Sequence, residues 1–285
     1  MNKIGICTDC ICDLPEDYLK SNGIDVMHFY IHTATGRFRD GEEISSENIL
    51  EYLENGEAIV SSNIPEPEEY RDFYLRILTR YDEVIHIATS DKIGFSYRNA
   101  TAAIGLLGEN AKRVTLIDSG SVSSGMGHMV RRAVLMRDSG SSAAEIVKAC
   151  EDMKVKISAT FIVPNADYLY RMKKVNRVVR DLSRIFHIHP VLYTKNGKLT
   201  VKSFRAGNYE KAVMQYVKSE FKHGDKIDKG QLFITHAGSP AKIISRIRAA
   251  SEDICRFDKV TVTKASAAIS SNCGPQTVGV LFVYQ

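Results

Sequence analysis

The chain has 285 residues, 44% hydrophobic and 25% charged, with a formal net charge of +4. That length supports one large or two ordinary domains with a real core, and so small a charge does not by itself point to nucleic acid. No apolar run reaches the roughly 18 residues that a membrane span needs, so no stable membrane insertion is expected.

In chain order, Ile4 to Cys7 reads as a short buried strand, and Pro15 to Lys20 as a helix with Asp13 as its cap. Ile24 to Ile31 reads as a second strand, Ser46 to Leu53 and Glu68 to Leu78 as helices. Val84 to Ala88 is a strand, Tyr97 to Leu107 a helix, Val114 to Ile117 a strand. Val122, Met126, Met129, Val130 and Ala133 share a helical face, as do Ile146, Val147, Cys150 and Met153. Short apolar strands alternating with amphipathic helices imply a parallel sheet covered on both faces. Beyond Ser158 to Val163 the pattern changes. A basic helical region runs from Asp167 to Arg184. Phe186 to Tyr193 and Leu199 to Ser203 flank an Asn196-Gly197 hairpin turn. Helices at Tyr209 to Phe221 and Ala241 to Ala250 alternate with strands at Leu232 to Thr235, Val260 to Thr263 and Val278 to Tyr284. The expected fold class is α/β with two domains. Residues 1–155 form a three-layer α/β/α domain on a parallel sheet, and residues 156–285 a two-layer α/β domain on a mixed sheet.

The cysteines Cys7, Cys10 and Cys12 cluster, but no second cluster or histidine pair answers them, so free thiols in a reducing cytoplasm are the reading rather than zinc. Met1 opens onto a strand-like segment without the regions of a secretory signal, which also fits a cytoplasmic protein.

In open parallel sheets ligands collect beyond the carboxyl ends of the strands. Those ends here carry Thr8-Asp9, Thr89-Ser90 and Asp118-Ser119-Gly120, and a polar turn, Ser61-Ser62-Asn63, precedes a helix. Unpartnered first-turn N–H groups and hydroxyls suit an anion. Gly94, Phe95 and Ser96 therefore either cradle a carboxylate or phosphate, or Ser96 caps its own helix. Asp9 is placed like the aspartyl nucleophile of phosphotransfer enzymes, but Ile11 stands where a second acid is usual. There is no Walker loop and no Gly-x-Ser-x-Gly elbow. His187 and His189 alternate in a strand, with no third ligand for a metal. His236 follows a strand and either faces a ligand or closes the Gly238-Ser239-Pro240 turn. Arg171, Lys173, Lys174, Arg177, Arg180 and Arg184 read as a solvated helix face without the interleaved aromatics that base stacking needs.

The phrases CTDCICDLPEDYLKSNGIDVMHFYI, RDGEEIS, SSNIPEPEEY, VIHIATSDKIGFSYRNA, LIDSGSVSSGMG, HPVLYTKNGKL and NCGPQTVGVLF resemble, in order and over nearly the whole chain, the DegV family of bacterial fatty-acid-binding proteins. The resemblance implies a two-domain α/β protein with a long-chain fatty acid between or within the domains, its tail buried and its carboxylate held by hydroxyls. It implies no cofactor and no catalysis by the chain itself, with the acid in some relatives presented to a separate fatty acid kinase for phospholipid metabolism. Position by position, the family's head-group threonine falls on Ser62 and its Ser-Gly-Thr on Gly94-Phe95-Ser96. Its Gly-Gly-Arg falls on Met172-Lys173-Lys174, and a histidine before Gly-Pro falls on Asn272. With Ser90 at the adjoining strand end, the expected ligand set is Ser62, Ser90, Gly94, Phe95, Ser96, Lys174 and Asn272. Either that cradle persists, or the ligand has become a shorter, bulkier or uncharged lipid. The alternative class is a phosphotransferase or hydrolase using Asp9 or Asp118.

Overall fold

The computed structural model describes residues 3–55, 61–171 and 175–285. In chain order the strands are β1 (Ile4–Asp9), β2 (Ile24–Met27), β3 (Tyr30–Thr33), β4 (Gly36–Arg39), β5 (Ser61–Asn63), β6 (Glu83–Ala88), β7 (Val114–Asp118), β8 (Ile157–Ile162), β9 (Ile188–Lys195), β10 (Lys198–Ala206), β11 (Ile227–His236), β12 (Val260–Lys264) and β13 (Val278–Tyr284). The helices are α1 (Glu16–Ser21), α2 (Ser46–Glu54), α3 (Pro67–Leu78), α4 (Ser96–Gly105), α5 (Ser124–Asp138), α6 (Ala143–Lys154), α7 (Asp167–Arg171), α8 (Arg177–Ile185), α9 (Tyr209–Glu220), α10 (Ala241–Ile254) and α11 (Ala267–Cys273).

The N-terminal sheet has the order β2-β1-β6-β7 and every pairing is parallel. Its inner strands must be apolar throughout, because helices cover both faces. All six residues of β1 are buried accordingly. One face packs on α3 and α4 through Tyr70, Phe73, Tyr74, Ile77, Ala100 and Ala103. The other packs on α5 and α6. Local signals start these helices: Pro67 opens α3 behind a Glu66/Glu69 capping box, and Ser142 and Glu145 form another at α6.

The C-terminal sheet has the order β10-β9-β8-β13-β11-β12, antiparallel except for β11 with β12. Helices α9 and α10 cover one face through Tyr216, Phe221, Ile247 and Phe282. The other face lies on α5, so one helix is the middle layer shared by both sheets. That position explains its small residues: a Cβ on Gly125 would come within 2.7 Å of the Ala159 Cβ on β8. It also explains two polar ties across the joint, His128 Nε2 to the Leu281 carbonyl at 3.0 Å and Ser124 Oγ to Thr235 Oγ1 at 2.5 Å.

Four local readings differ from the sequence expectation. Ile24–Ile31 is not one strand: the chain leaves the parallel sheet after Met27 and enters a small antiparallel sheet, β4-β3-β5, at Tyr30. Ser61–Asn63 is the edge strand of that sheet rather than a turn. Asp13 does not cap α1, whose N-cap is Pro15. Asp13 itself takes the left-handed conformation and points its carboxylate elsewhere. His187 precedes β9 and does not share a strand face with His189, which lies between the Pro164 and Gly207 carbonyls. Among the described residues no group of histidine, cysteine, aspartate or glutamate could hold a metal ion, and no helix is long and apolar enough to cross a membrane.

Candidate functional site

Between the two large sheets lies a cavity of about 350 Å³. Ile11, Ile93 and Val122 line it from the loops at the carboxyl ends of β1, β6 and β7. Phe161, Leu192 and Leu199 line it from β8, β9 and β10, one face of α11 supplies Ala268, Ile269, Asn272 and Cys273, and the loop leading into that helix supplies Ala265. None of the described lining residues is Asp, Glu, Lys or Arg.

Most of the polar lining groups already have protein partners. Thr89 Oγ1 donates to Asp9 Oδ2 at 2.8 Å, Thr277 Oγ1 donates to the Cys273 carbonyl at 3.0 Å, and Thr235 bonds Ser124 and Thr263. Ser123 donates to Asp13. His236 accepts at Nδ1 from the Ser239 N–H at 3.3 Å, which fixes its proton on Nε2. Burial, and then the charge of Lys264, lower its pKa, so the ring is neutral at pH 7. It thus both lines the cavity and closes the turn.

Ser62 and Asn272 are different. The Asn272 amide donates to the Ala268 carbonyl at 2.7 Å and to Ser62 Oγ at 3.4 Å. Ser62 therefore accepts here and keeps its own proton to donate. Ile64, two residues on, packs against Gly94: a Cβ there would lie 3.1 Å from Ile64 Cδ1. Ser62 thus meets Asn272 while Ile64 meets Gly94, so three distant segments converge on this part of the lining. Phe95 adjoins them and is 62% exposed, with the Arg98 guanidinium 5.6 Å from its ring centroid. It is a rim residue of the cavity. It is also the N-cap of α4 and supplies no side-chain cap, so the first-turn N–H groups of that helix have none.

At three of the expected ligand residues the fold already supplies partners for the donor groups. Ser96 is fully buried, and its hydroxyl donates to Asp9 Oδ2 at 2.6 Å and meets Tyr70 Oη at 2.9 Å; it neither lines the cavity nor caps α4. Ser90 donates its hydroxyl to the Gly197 carbonyl at 2.8 Å. The Gly94 N–H is held by the Ser90 carbonyl at 3.3 Å. In each case a nearer protein acceptor captures the donor. Lys174, with Lys173, lies outside the described residues. Elsewhere in the basic run, Arg177 and Arg180 both pair with Asp181.

The candidate acids of the enzyme alternative already have partners. Asp9 has no exposure and accepts from Thr89 N, Thr89 Oγ1, Ser96 and Tyr70. Asp118 is half-buried and accepts from the Gly120 N–H in its own turn and the Asp91 N–H on the loop after β6. Sequence reasoning missed the wall built by α11. Its signal was the spacing 268, 269, 272, 273, one face of a helix.

A layered α/β protein with a cavity between two sheets, and no charged side chain among its described lining residues, has the form of a protein that takes up an apolar ligand. The family model described as "Uncharacterised protein, DegV family" matches residues 3–285, and the chain belongs to that family. A DegV domain-containing protein of Caldanaerobacter subterraneus is 27% identical over 282 residues, covering 99% of both chains. The structure described as fatty acid binding of a DegV family protein from Thermus thermophilus superposes with a TM-score of 0.89 at 24% identity, covering 99% of this chain and 100% of that one. The Streptococcus pneumoniae fatty acid kinase B3 protein loaded with linoleic acid gives 0.84 at 16% identity, covering 99% and 100%.

Proposed function

We propose that this protein binds a long-chain fatty acid, with the tail in the cavity between the sheets and the carboxylate at Ser62 and Asn272, beside the Phe95 backbone at the start of α4. Lys174 belongs to this reading as a cationic helper, and the 155/156 boundary as the division between the two domains that enclose the lipid. The chain performs no chemistry on the acid and uses no cofactor; it presents the head group to a separate fatty acid kinase in the cytoplasm. The six free thiols are compatible with a reducing compartment.

One observation carries this reading: a cavity of about 350 Å³ with no charged group among its described lining residues, and with a hydroxyl and an amide brought together at Ser62 and Asn272. Each buried methylene contributes about 0.8 kcal/mol, so a long tail offers roughly 10 kcal/mol before ordering costs. The head group requires hydrogen-bond donors once it leaves water. The bound ligands named for the Thermus and Streptococcus relatives point the same way. The enclosed position of Asp9, and the absence of both Asp9 and Asp118 from the described cavity lining, weigh against the phosphotransferase or hydrolase alternative.

Native mass spectrometry of the protein as purified should show a retained fatty acid. Ser62→Ala with Asn272→Ala should weaken fatty-acid binding by about tenfold to a hundredfold, as the loss of two hydrogen bonds of about 1 kcal/mol each implies. The matching alcohol should lose less. A reproducibly empty protein that also ignores added fatty acids would overturn the reading, and unchanged affinity for both ligands would move the head group elsewhere.

A further inference from the structure

The hairpin β9–β10 turns at Asn196 and Gly197, both at positive φ, as a two-residue hairpin of this kind requires. Its tip is docked on one side, with Gly197 buried and Asn196 exposed. The Gly197 carbonyl accepts from Ser90 Oγ at 2.8 Å, and the Asn196 carbonyl accepts from Lys92 Nζ at 3.0 Å. A Cβ on Gly197 would lie 2.6 Å from Ser90 Oγ and 3.8 Å from the Gly120 Cα, so the backbone itself is seated on the loops after β6 and β7.

Ser90 is bonded in both directions. Its carbonyl accepts from the Ile93 N–H at 2.9 Å and the Gly94 N–H at 3.3 Å, and its own N–H donates to the Ser121 carbonyl. Ile93, Gly94 and Phe95 line one side of the cavity; Leu192 and Leu199, on the hairpin, line another. One buried serine thus ties two walls from separate sheets. Among the described residues, the side chains of the N-terminal layers that hydrogen-bond the tip are Ser90 and the exposed Lys92.

We infer that the β9–β10 hairpin is a strap over the ligand cavity, and that its release from Ser90 and Lys92 is the step by which the cavity opens. Two hydrogen bonds, one of them to an exposed lysine, are few enough to break in a local opening. The identity of what passes through rests on the proposed function; the opening itself does not.

Cys273 allows the two to be tested apart. It lines the cavity, is buried, and has its thiol pushed up to about 12 by burial. Its alkylation by N-ethylmaleimide, read by peptide mass spectrometry, reports opening without any lipid. Ser90→Ala with Lys92→Ala should speed modification of Cys273 about tenfold, while the buried Cys150 on α6 keeps its rate. Dissociation of a bound fluorescent fatty acid should quicken by a similar factor. Lys92→Ala alone, at an exposed position, should give a smaller rise in the same direction and serves if the double variant misfolds. An unchanged Cys273 rate, or an equal rise at Cys150, would overturn the strap. Faster alkylation in a protein that binds no fatty acid would leave the strap standing and remove the lipid assignment instead.

Discussion

Asp9→Ala is expected to remove on the order of 3–5 kcal/mol of stability, read as a fall in the urea midpoint at pH 7 with little change in slope. The carboxylate has no solvent contact and holds four hydrogen bonds, two from Thr89 and one each from Ser96 and Tyr70. His86 Nε2 stands 3.3 Å away, close enough for attraction though not aligned for a hydrogen bond. Removing the carboxylate leaves these buried donors without an acceptor, and each unsatisfied group costs about 1–3 kcal/mol. Burial alone would raise the Asp9 pKa. The neighbouring His86, the Ser96 hydroxyl and the Thr89 N–H together outweigh it and hold the acid below its ordinary value. The sign follows: the contribution is complete above the unfolded value near 3.9 and is lost as pH falls through the still lower folded value. The wild-type advantage over Asp9→Asn should therefore hold from pH 7 to about 5 and shrink below about 4. A wild-type midpoint in Asp9→Ala would show that the network contributes nothing. Acyl phosphate turnover by the protein alone, abolished in Asp9→Asn, would return the residue to catalysis.

The same residue shows what could be read in advance. The parallel sheet was legible because strands buried on both faces carry continuous apolar runs, as Ile4 to Cys7 and Val84 to Ala88 do. The helices were legible from their periodicity and caps. Ser62 and Asn272 were placed by resemblance to the family, not by any local pattern, and the structure brings them to 3.4 Å. Ser90 and Ser96 have the right chemistry for an anion cradle, but a hydroxyl bonds whatever acceptor the fold brings near. Those acceptors are Gly197 and Asp9, 107 and 87 residues away. No spacing rule reaches that far. The break after Met27 was hidden for the same reason: Ile24–Met27 and Tyr30–Thr33 are both strand-like, and only tertiary pairing assigns them to different sheets. Helix α11 was hidden by composition, since its Ser270, Ser271 and Asn272 are poor helix formers. It is held instead by long-range caps, Asp40 accepting from the Ala267 and Ala268 N–H groups and Asp13 from the Ser266 N–H.

Asp13 should behave in the opposite sense to Asp9. It is likewise buried, and burial pushes its carboxyl up to about 7. The bonds from Ser123 and Ser266 oppose that rise without cancelling it, and the charge of Asp40 adds to it. The folded state then holds a proton that the unfolded chain releases near pH 3.9. Stability from this group is complete below about 4 and is lost as pH rises through about 7, by at most about 4 kcal/mol at 1.36 kcal/mol per unit. Asp13→Asn keeps an oxygen for the Ser266 N–H and removes the buried charge. It should raise the denaturation midpoint at pH 8, by roughly 1–3 kcal/mol, and give less at pH 5. Because the residue does not line the cavity itself and reaches it through Ser123 and the start of α11, fatty-acid affinity should change by less than about threefold at either pH. A variant destabilised equally at both pH values would mean that the carboxylate of Asp13 is needed as an anion to cap α11. Asp13 and Asp40 would then be a clamp on the cavity wall, and the two enclosed acids of the N-terminal layers would share one role.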